Sequence, residues 1–311
     1  MYAIGIDIGG TNTDIGLVNP QGEVVARKNL PTGQYTDANQ YADDLANTIK
    51  ALIDEQKVEV KGIGIGAPNG NFYTGCIENA PNLNMKGNIY LAKMMEERLH
   101  IPAVITNDAN AAAYGEMVYG GAKGMKHFIM FTLGTGVGSG IIIDGKLLYG
   151  HDGFAGELGH TIIFPNGRPC KCGRQGCLEQ YTSAGGIRKT CLEMMEQDPY
   201  YDGILSKIPA EELDSKAIGD AANQGDILAL RVFEFTGGIL GLAMANAVAF
   251  SSPEAIFLMG GPVKAGEVLL EPVRKSFNLN VLSNYKDKVK IMVSQLKQND
   301  VAILGAAALV N

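Results

Sequence analysis

Three of the five cysteines and one of the four histidines in this chain crowd into one stretch. It reads Glu157-Leu-Gly-His160, the apolar Thr161-Ile-Ile-Phe164, then Cys170-Lys-Cys172-Gly-Arg-Gln-Gly-Cys177-Leu-Glu179. One imidazole and three thiolates make the tetrahedral N/S donor set that Zn²⁺ prefers, and a Gly-rich loop can wrap such an ion without a core of its own. His160, Cys170, Cys172 and Cys177 are therefore the candidate metal ligands. Gly173 and Gly176 permit the tight turns that bring the thiols to one point. A disulfide or a chance thiol cluster is the competing explanation. It suffers from geometry, because Cys-X-Cys neighbours point apart and bridge poorly. Thr161 to Phe164 reads as a short strand inside the stretch, and Cys76 and Cys191 as plain thiols.

Two other segments could handle phosphate. Asp7-Ile-Gly-Gly-Thr-Asn-Thr13 and Gly134-Thr-Gly-Val-Gly-Ser139 each join two apolar strands. Neither opens a helix, as a dinucleotide-binding turn must, and no Gly-Lys-Ser/Thr supports a P-loop. Their backbone N–H groups and hydroxyls suit a clasp on a polyphosphate, as anion-binding nests do. An ordinary β-turn is the alternative for either one alone. Asp7 could hold a hydrated Mg²⁺, an ion bound through one or two carboxylates plus phosphates. Asp108, after Asn107, offers a second carboxylate where a substrate hydroxyl could bind, with a helix N-cap as its bland alternative.

The elements around these groups follow from periodicity. Tyr2 to Ile8, Thr13 to Val18 and Glu23 to Leu30 read as an antiparallel meander. Asp37 to Gln56 carries Tyr41, Leu45, Ile49, Leu52 and Ile53 at helical spacing. A buried strand at Gly62 to Ala67, a helix at Asn88 to Leu99 and a strand at Ala103 to Thr106 lead to Asn107, at a strand end where ligands of open α/β sheets collect. The second half reopens with a strand at His127 to Leu133, the Gly134 to Ser139 turn and a strand at Gly140 to Asp144. Helices at Ala184 to Glu196, Lys216 to Asn223, Ile227 to Phe250 and Glu267 to Asn278 follow, with strands at Ala255 to Met259 and Val289 to Val293. Asn299-Asp300 is expected to cap a closing helix. Two halves with the same opening suggest a duplication with a cleft between and a linker near Tyr119-Gly-Gly-Ala-Lys-Gly124. The expected domains are 1–119 plus 299–311, and 120–298 with the metal loop.

Composition narrows the partners. The 311 residues are 46% hydrophobic and 19% charged, with 40 glycines and a net charge of −7, enough chain for two domains. Without a basic block to neutralise phosphates, a nucleic-acid partner is disfavoured and a small molecule favoured. The first strand lacks the pattern of a signal peptide, and the longest apolar run, Gly237 to Phe250, falls short of a membrane span. The cytoplasm is the expected location, and a reducing compartment agrees with metal-binding thiols.

The motifs Asp7-Ile-Gly-Gly-Thr-Asn-Thr13, Leu133-Gly-Thr-Gly-Val-Gly138, Ala155-Gly-Glu-Leu-Gly-His160 and the Cys170 to Glu179 loop together resemble the ROK family of bacterial sugar kinases and repressors, in the family's order and over essentially the whole chain. The resemblance implies an actin-like, ribonuclease-H-like α/β fold of two domains closing over ATP and a hexose. It makes Asp108 the general base on the sugar hydroxyl, with Asn82, Asn107, Glu157, His160 and Glu179 also on the sugar. It puts the phosphate clasps at Gly9, Gly10, Thr11, Asn12 and Thr13, and at Gly134, Thr135, Gly136 and Gly138. Gly260 and Gly261 would lie by the adenosine, and Zn²⁺ would be structural. Many relatives carry a Trp after the substrate-loop asparagine; this chain reads Asn82-Leu-Asn-Met-Lys86, with no Trp, and Gly260-Gly261-Pro262 lacks a third Gly. A glucokinase acting on the 6-hydroxyl is the leading expectation. N-acetylglucosamine, N-acetylmannosamine or fructose kinases come next. A sugar-sensing repressor is disfavoured, since the Asp7 motif begins on the first strand and leaves no room for a helix-turn-helix. Dimers are common in the family, which leaves a homodimer open.

Overall fold

A computed structural model describes residues 1–297 and 300–311. The chain opens with β1 (Tyr2–Ile8), β2 (Thr13–Val18) and β3 (Val24–Leu30), the expected meander, antiparallel throughout. α1 (Ala38–Gln56) starts where the Asp37 carboxylate accepts from the amides of Asn39 and Gln40. It buries Tyr41, Leu45, Ile49 and Leu52, the apolar stripe visible in the sequence. β4 (Val60–Gly66) then pairs parallel to β1.

A small antiparallel sheet of β5 (Gly70–Asn71), β6 (Cys76–Glu78) and β7 (Asn88–Ile89) precedes α2 (Leu91–Leu99), β8 (Ala103–Thr106) and α3 (Asp108–Tyr119). The helix expected from Asn88 therefore starts later, because Asn88 and Ile89 are drawn into pairing with β6. The first sheet has the order β3-β2-β1-β4-β8.

The second half repeats that plan. β9 (Phe128–Leu133), β10 (Val137–Ile143) and β11 (Lys146–Leu147) are followed by α4 (Glu179–Thr182), α5 (Ala184–Gln197), α6 (Ser215–Asn223) and α7 (Ile227–Ser251). β12 (Ala255–Gly260), α8 (Glu267–Asn280), β13 (Lys290–Val293) and α9 (Val301–Ala308) complete it. This sheet runs β11-β10-β9-β12-β13, with β12 parallel to both β9 and β13. Each sheet thus sets a hairpin-linked trio beside two crossover strands, and this is the expected actin-like ATPase fold of ribonuclease-H-like halves.

Contacts divide the chain into two compact units, one of Met1–Lys126, Gly140–Gly156 and Ser294–Asn311, the other of His127–Ser139 and Glu157–Val293. Gly140–Gly156 thus groups with the first unit, although the sequence expectation put it with the second. Asn299, offered above as part of a helix cap and as a domain start, lies outside the described residues; Asp300 makes no side-chain cap bond.

Two sequence readings change. Thr161 to Phe164 is no strand. His160 ends a short 3₁₀ turn over Leu158–His160, only Ile162 bridges to Cys177, and Ile162 and Phe164 stay exposed. A segment that must bend round a ligand cluster cannot also extend. Further on, α7 matches the helix expected from Ile227, but over its full length it meets the length and composition of a membrane span that the Gly237 to Phe250 run alone did not, with 61% of its apolar window buried inside the protein. Gly237 and Gly241 let α8 approach it closely, their missing Cβ atoms facing the Leu269 and Val273 carbonyls.

Glycine also decides how the closing helix sits in the first unit. A Cβ on Gly5 would lie 2.0 Å from the Ile303 carbonyl oxygen, and one on Gly64 would lie 1.8 Å from that of Ala306. α9 therefore rests directly on β1 and β4, which carry Asp7 and lead to the loop that holds Asn82. Gly64→Ala is expected to destabilise the protein by about 1–3 kcal/mol through overpacking, read as a lower urea midpoint at unchanged slope.

Candidate functional site

In the second unit, the ligand atoms of His160, Cys170, Cys172 and Cys177 all lie within 4.8 Å of one another. Cys170 Sγ is 3.7 Å from His160 Nδ1, and Cys172 Sγ is 3.6 Å from Cys177 Sγ. A tetrahedral Zn²⁺ site has edges of about 3.8 Å between thiolates and about 3.6 Å from thiolate to imidazole, so these separations already match. All five cysteines are free thiols. A metal ligated at Nδ1 leaves Nε2 of His160 to carry the ring proton, a fixed tautomer with its donor available to another partner.

The loop is built to hold that arrangement. Gly173 and Gly176 adopt φ of +87° and +79°, and a Cβ on Gly176 would meet the Phe164 carbonyl oxygen at 1.7 Å. The amide of Cys170 donates to the Arg174 carbonyl, and that of Gly173 to the Cys170 carbonyl. The Arg174 guanidinium donates to the His160 carbonyl at 2.9 Å. Burial alone would raise the Cys172 thiol, but the Arg174 amide and guanidinium outweigh it and favour thiolate. Three thiolates and a neutral His leave a Zn²⁺ site one negative charge in excess, and Arg174 is placed to offset it. Arg168 braces the loop from behind, donating to the carbonyls of Gln180 and Gly186 and to the Thr190 hydroxyl, with its guanidinium over the Tyr181 ring. The sequence reading missed both arginines. Arg174 was findable as a cation inside a three-thiol loop, whereas Arg168 had no signal.

The Gly134 turn lies against this loop. The Gly134 amide donates to the Gly136 carbonyl, closing a turn that exposes Thr135. β10 starts at Val137, so Gly138 sits in the strand and the turn itself is Gly134 to Gly136. Glu179, expected on a sugar, instead accepts through Oε2 from the Val137 amide at 3.0 Å, while Oε1 is 3.9 Å from Cys170 Sγ. Glu157 precedes the 3₁₀ turn that carries His160 and is exposed. Gly260 pairs with Leu133 at φ +112°, where a Cβ would strike the Leu133 carbonyl, so it closes the sheet; Gly261 has open space where a Cβ would be.

The first unit gathers the rest. The Gly9 amide donates to the Asn12 carbonyl, and Thr11 and Asn12 at the tip are exposed. Gly10 lies under the substrate loop, with the Asn82 carbonyl 2.7 Å from its missing Cβ, and Asn82 itself is exposed. Thr13 is fully buried. Its hydroxyl bonds those of Thr32 and Tyr41 at 2.7 Å each, so the side chain anchors the hairpin. Asn107 caps α3, its side chain accepting from the Ala109 amide, and Asp108 is the first helical residue. The N-cap position thus falls on Asn107, and Asp108 Oδ1 accepts from the same Ala109 amide.

Asp7 and Asp108 share this neighbourhood because Gly66, opposite Asp7 in the sheet, keeps Asp108 Cα only 3.6 Å from where its Cβ would be. Burial, then repulsion from Asp108 and Asp14, pushes the Asp7 carboxyl up to about 7. Asp108 is raised too, by loss of hydration, although its side chain still reaches solvent on one side and the Ala109 amide opposes the shift. Crowded, under-solvated carboxylates of this kind suit a hydrated divalent cation and a general base.

The sequence matches the profile of the ROK family over residues 3–311, and the chain belongs to that family. It is 34% identical to a glucokinase of Halalkalibacterium halodurans over 99% of this chain and 94% of that one. It is 28% identical to the N-acetylglucosamine repressor of Escherichia coli, covering 99% of this chain and 75% of the repressor. Among solved structures, the ROK family glucokinase from Streptomyces griseus in complex with glucose and AMPPNP superposes with a TM-score of 0.82 at 32% identity, over 99% of both chains.

The carboxylate cluster has a pH signature. A folded carboxyl held near 7 stabilises the fold while protonated, and this contribution is lost as pH rises through about 7. Asp7→Asn cannot ionise. In Mg²⁺-free buffer it is expected to melt above the wild type, by a margin that widens from about pH 5.5 to about pH 8. Thermal melts at the two pH values check this; a margin that stays constant or shrinks contradicts the assignment.

Proposed function

We propose that this chain transfers the γ-phosphoryl group of ATP to the 6-hydroxyl of glucose. The chain is an ATP-dependent sugar kinase, and the observation that carries the mechanism is Asp108. It stands at the first turn of α3 with its backbone placed by the Asn107 cap, in the neighbourhood of Asp7, and its carboxyl is raised by loss of hydration. Glucose is favoured among sugars because the glucokinases of Halalkalibacterium halodurans and Thermotoga maritima match this chain nearly end to end at 34% and 33% identity.

In this reading Asp108 accepts the O6 proton as O6 attacks the γ-phosphorus, and the bond to the bridging oxygen breaks to release ADP. A carboxylate with a raised pKa is the better base near neutrality. Phosphoryl transfer asks mainly for positioning and charge neutralisation, which the Gly9–Asn12 and Gly134–Gly136 turns supply as N–H donors. Asp7 would hold Mg²⁺, which neutralises phosphate charge. Asn82, Asn107, Glu157 and the Nε2–H of His160 would bind sugar hydroxyls. Zn²⁺ would sit on His160, Cys170, Cys172 and Cys177, where its chemistry is to fix the loop. We place the reaction in the cytoplasm, where thiolate ligands stay reduced.

A sugar-responsive repressor is the second reading, suggested by the 28% match to the N-acetylglucosamine repressor. The crowded Asp7 and Asp108 carboxylates favour catalysis, and the net charge of −7 does not favour DNA. The test is a coupled ADP-release assay on glucose, N-acetylglucosamine, N-acetylmannosamine and fructose, with Asp108→Asn alongside. Glucose is expected to give the highest kcat/KM. The variant should keep sugar affinity within a few-fold while kcat falls by about 10²–10⁴. Inertness toward all four sugars would overturn the kinase reading, and wild-type turnover in the variant would remove the base.

A further inference from the structure

We propose that Glu179 is a positioning residue for the nucleotide: it holds the Gly134–Gly136 turn in its phosphate-binding shape and so ties nucleotide affinity to the metal loop. The inference rests on the kinase reading and goes beyond the sugar contact expected of this glutamate.

Four observations within the second unit support it. Glu179 Oε2 accepts from the Val137 amide at 3.0 Å, at the point where the turn becomes β10. A Cβ on Gly136 would lie 2.5 Å from that same oxygen, so a side chain there would displace the carboxylate. Oε1 faces the metal ligand Cys170 at 3.9 Å, so one carboxylate spans turn and metal loop. Further ties between the two segments include the Leu158 amide to the Ser139 hydroxyl at 3.2 Å, the Ala184 amide to the Gly134 carbonyl at 2.9 Å, and Gly159, whose missing Cβ faces the Val137 carbonyl at 1.9 Å.

The physical consequence is directional. A carboxylate bonded to Val137 N–H fixes the end of the turn, and a charge-assisted bond is roughly twice as strong as a neutral one. The backbone of Thr135, exposed at the tip, and of Gly136 is then held in one conformation before a phosphate arrives, which removes an ordering cost from binding. The negative charge itself opposes a polyphosphate, so the benefit comes from the acceptor oxygen.

Charge and acceptor can be separated by substitution. Glu179→Ala removes both, whereas Glu179→Gln keeps an oxygen for Val137 N–H and drops the charge. Gly136→Ala attacks the same contact from the other side, by pushing a methyl group into the carboxylate; in a Glu179→Ala background that methyl has room. The readout is calorimetric AMPPNP affinity with no sugar present, on proteins whose metal content is first shown equal to wild type.

Glu179→Ala and Gly136→Ala are each expected to weaken AMPPNP about 10-fold. The double variant should be no weaker than Glu179→Ala, and Glu179→Gln should bind as tightly as wild type or tighter. If Glu179 serves only the sugar, all four bind sugar-free nucleotide like wild type, and the proposal fails while the kinase reading stands. If the wild type binds no AMPPNP, the kinase reading fails and takes the proposal with it. Loss of metal in Glu179→Ala moves the decision to Gly136→Ala, whose added methyl would have no thiol within 4 Å; wild-type affinity there also overturns the proposal.

Discussion

The convergence of one imidazole nitrogen and three thiols within 4.8 Å is the constraint on which the second unit depends. Such a cluster is unfavourable on its own, because thiolates repel and buried thiols lose hydration. The chain accepts that cost in a segment with little regular structure, where an extended strand or helix could not bring Cys170, Cys172 and Cys177 to one point. Gly173, Gly176 and the Arg174 guanidinium are the local answers to the crowding, and Arg168 fixes the loop to α4 and α5 behind it. What the cluster supports is the placement of His160 at the end of a 3₁₀ turn, of Glu157 just before it, and of Glu179 at the start of α4 against Val137.

The first unit is organised by a different tension. Gly66 brings Asp7 and Asp108 together, and burial with repulsion from Asp108 and Asp14 favours protonation of Asp7, a tension that a cation would relieve. Close backbone packing at Gly5, Gly64 and Gly10 makes this possible. Each replaces a side chain with direct contact, so that α9 and the substrate loop lie against the strands that carry the carboxylate. Stability is given up at the carboxylates and regained in the glycine-mediated packing beneath them.

Much of this was legible in the sequence because the signals are local. The spacing of one histidine and three cysteines named the four residues whose donor atoms converge, Asp37 announced α1, and the repeated strand-turn-strand openings announced two similar sheets. Gly-rich hairpins without a following helix correctly steered away from a dinucleotide fold. What stayed hidden depends on distant partners. That Glu179 also accepts from the amide of Val137, 42 residues away, had no local signal. Thr13 looked like a phosphate contact until Thr32 and Tyr41 claimed its hydroxyl. Thr161 to Phe164 looked like a strand because apolar run and β-branching say so, and nothing local reveals that the ligands on either side force a bend. Asn107 and Asp108 were readable as a pair, but which of them caps the helix is decided by backbone geometry.

The central claim is that one metal-fixed loop sets the geometry of both the sugar groups and the phosphate turn of its unit. Removing the metal with a chelator at neutral pH, confirming its loss by elemental analysis, and titrating sugar and AMPPNP separately tests this most directly. The account predicts that both affinities fall about 10-fold or more and that one equivalent of Zn²⁺ per chain restores both. A stripped, folded protein that binds both ligands as tightly as before would contradict it.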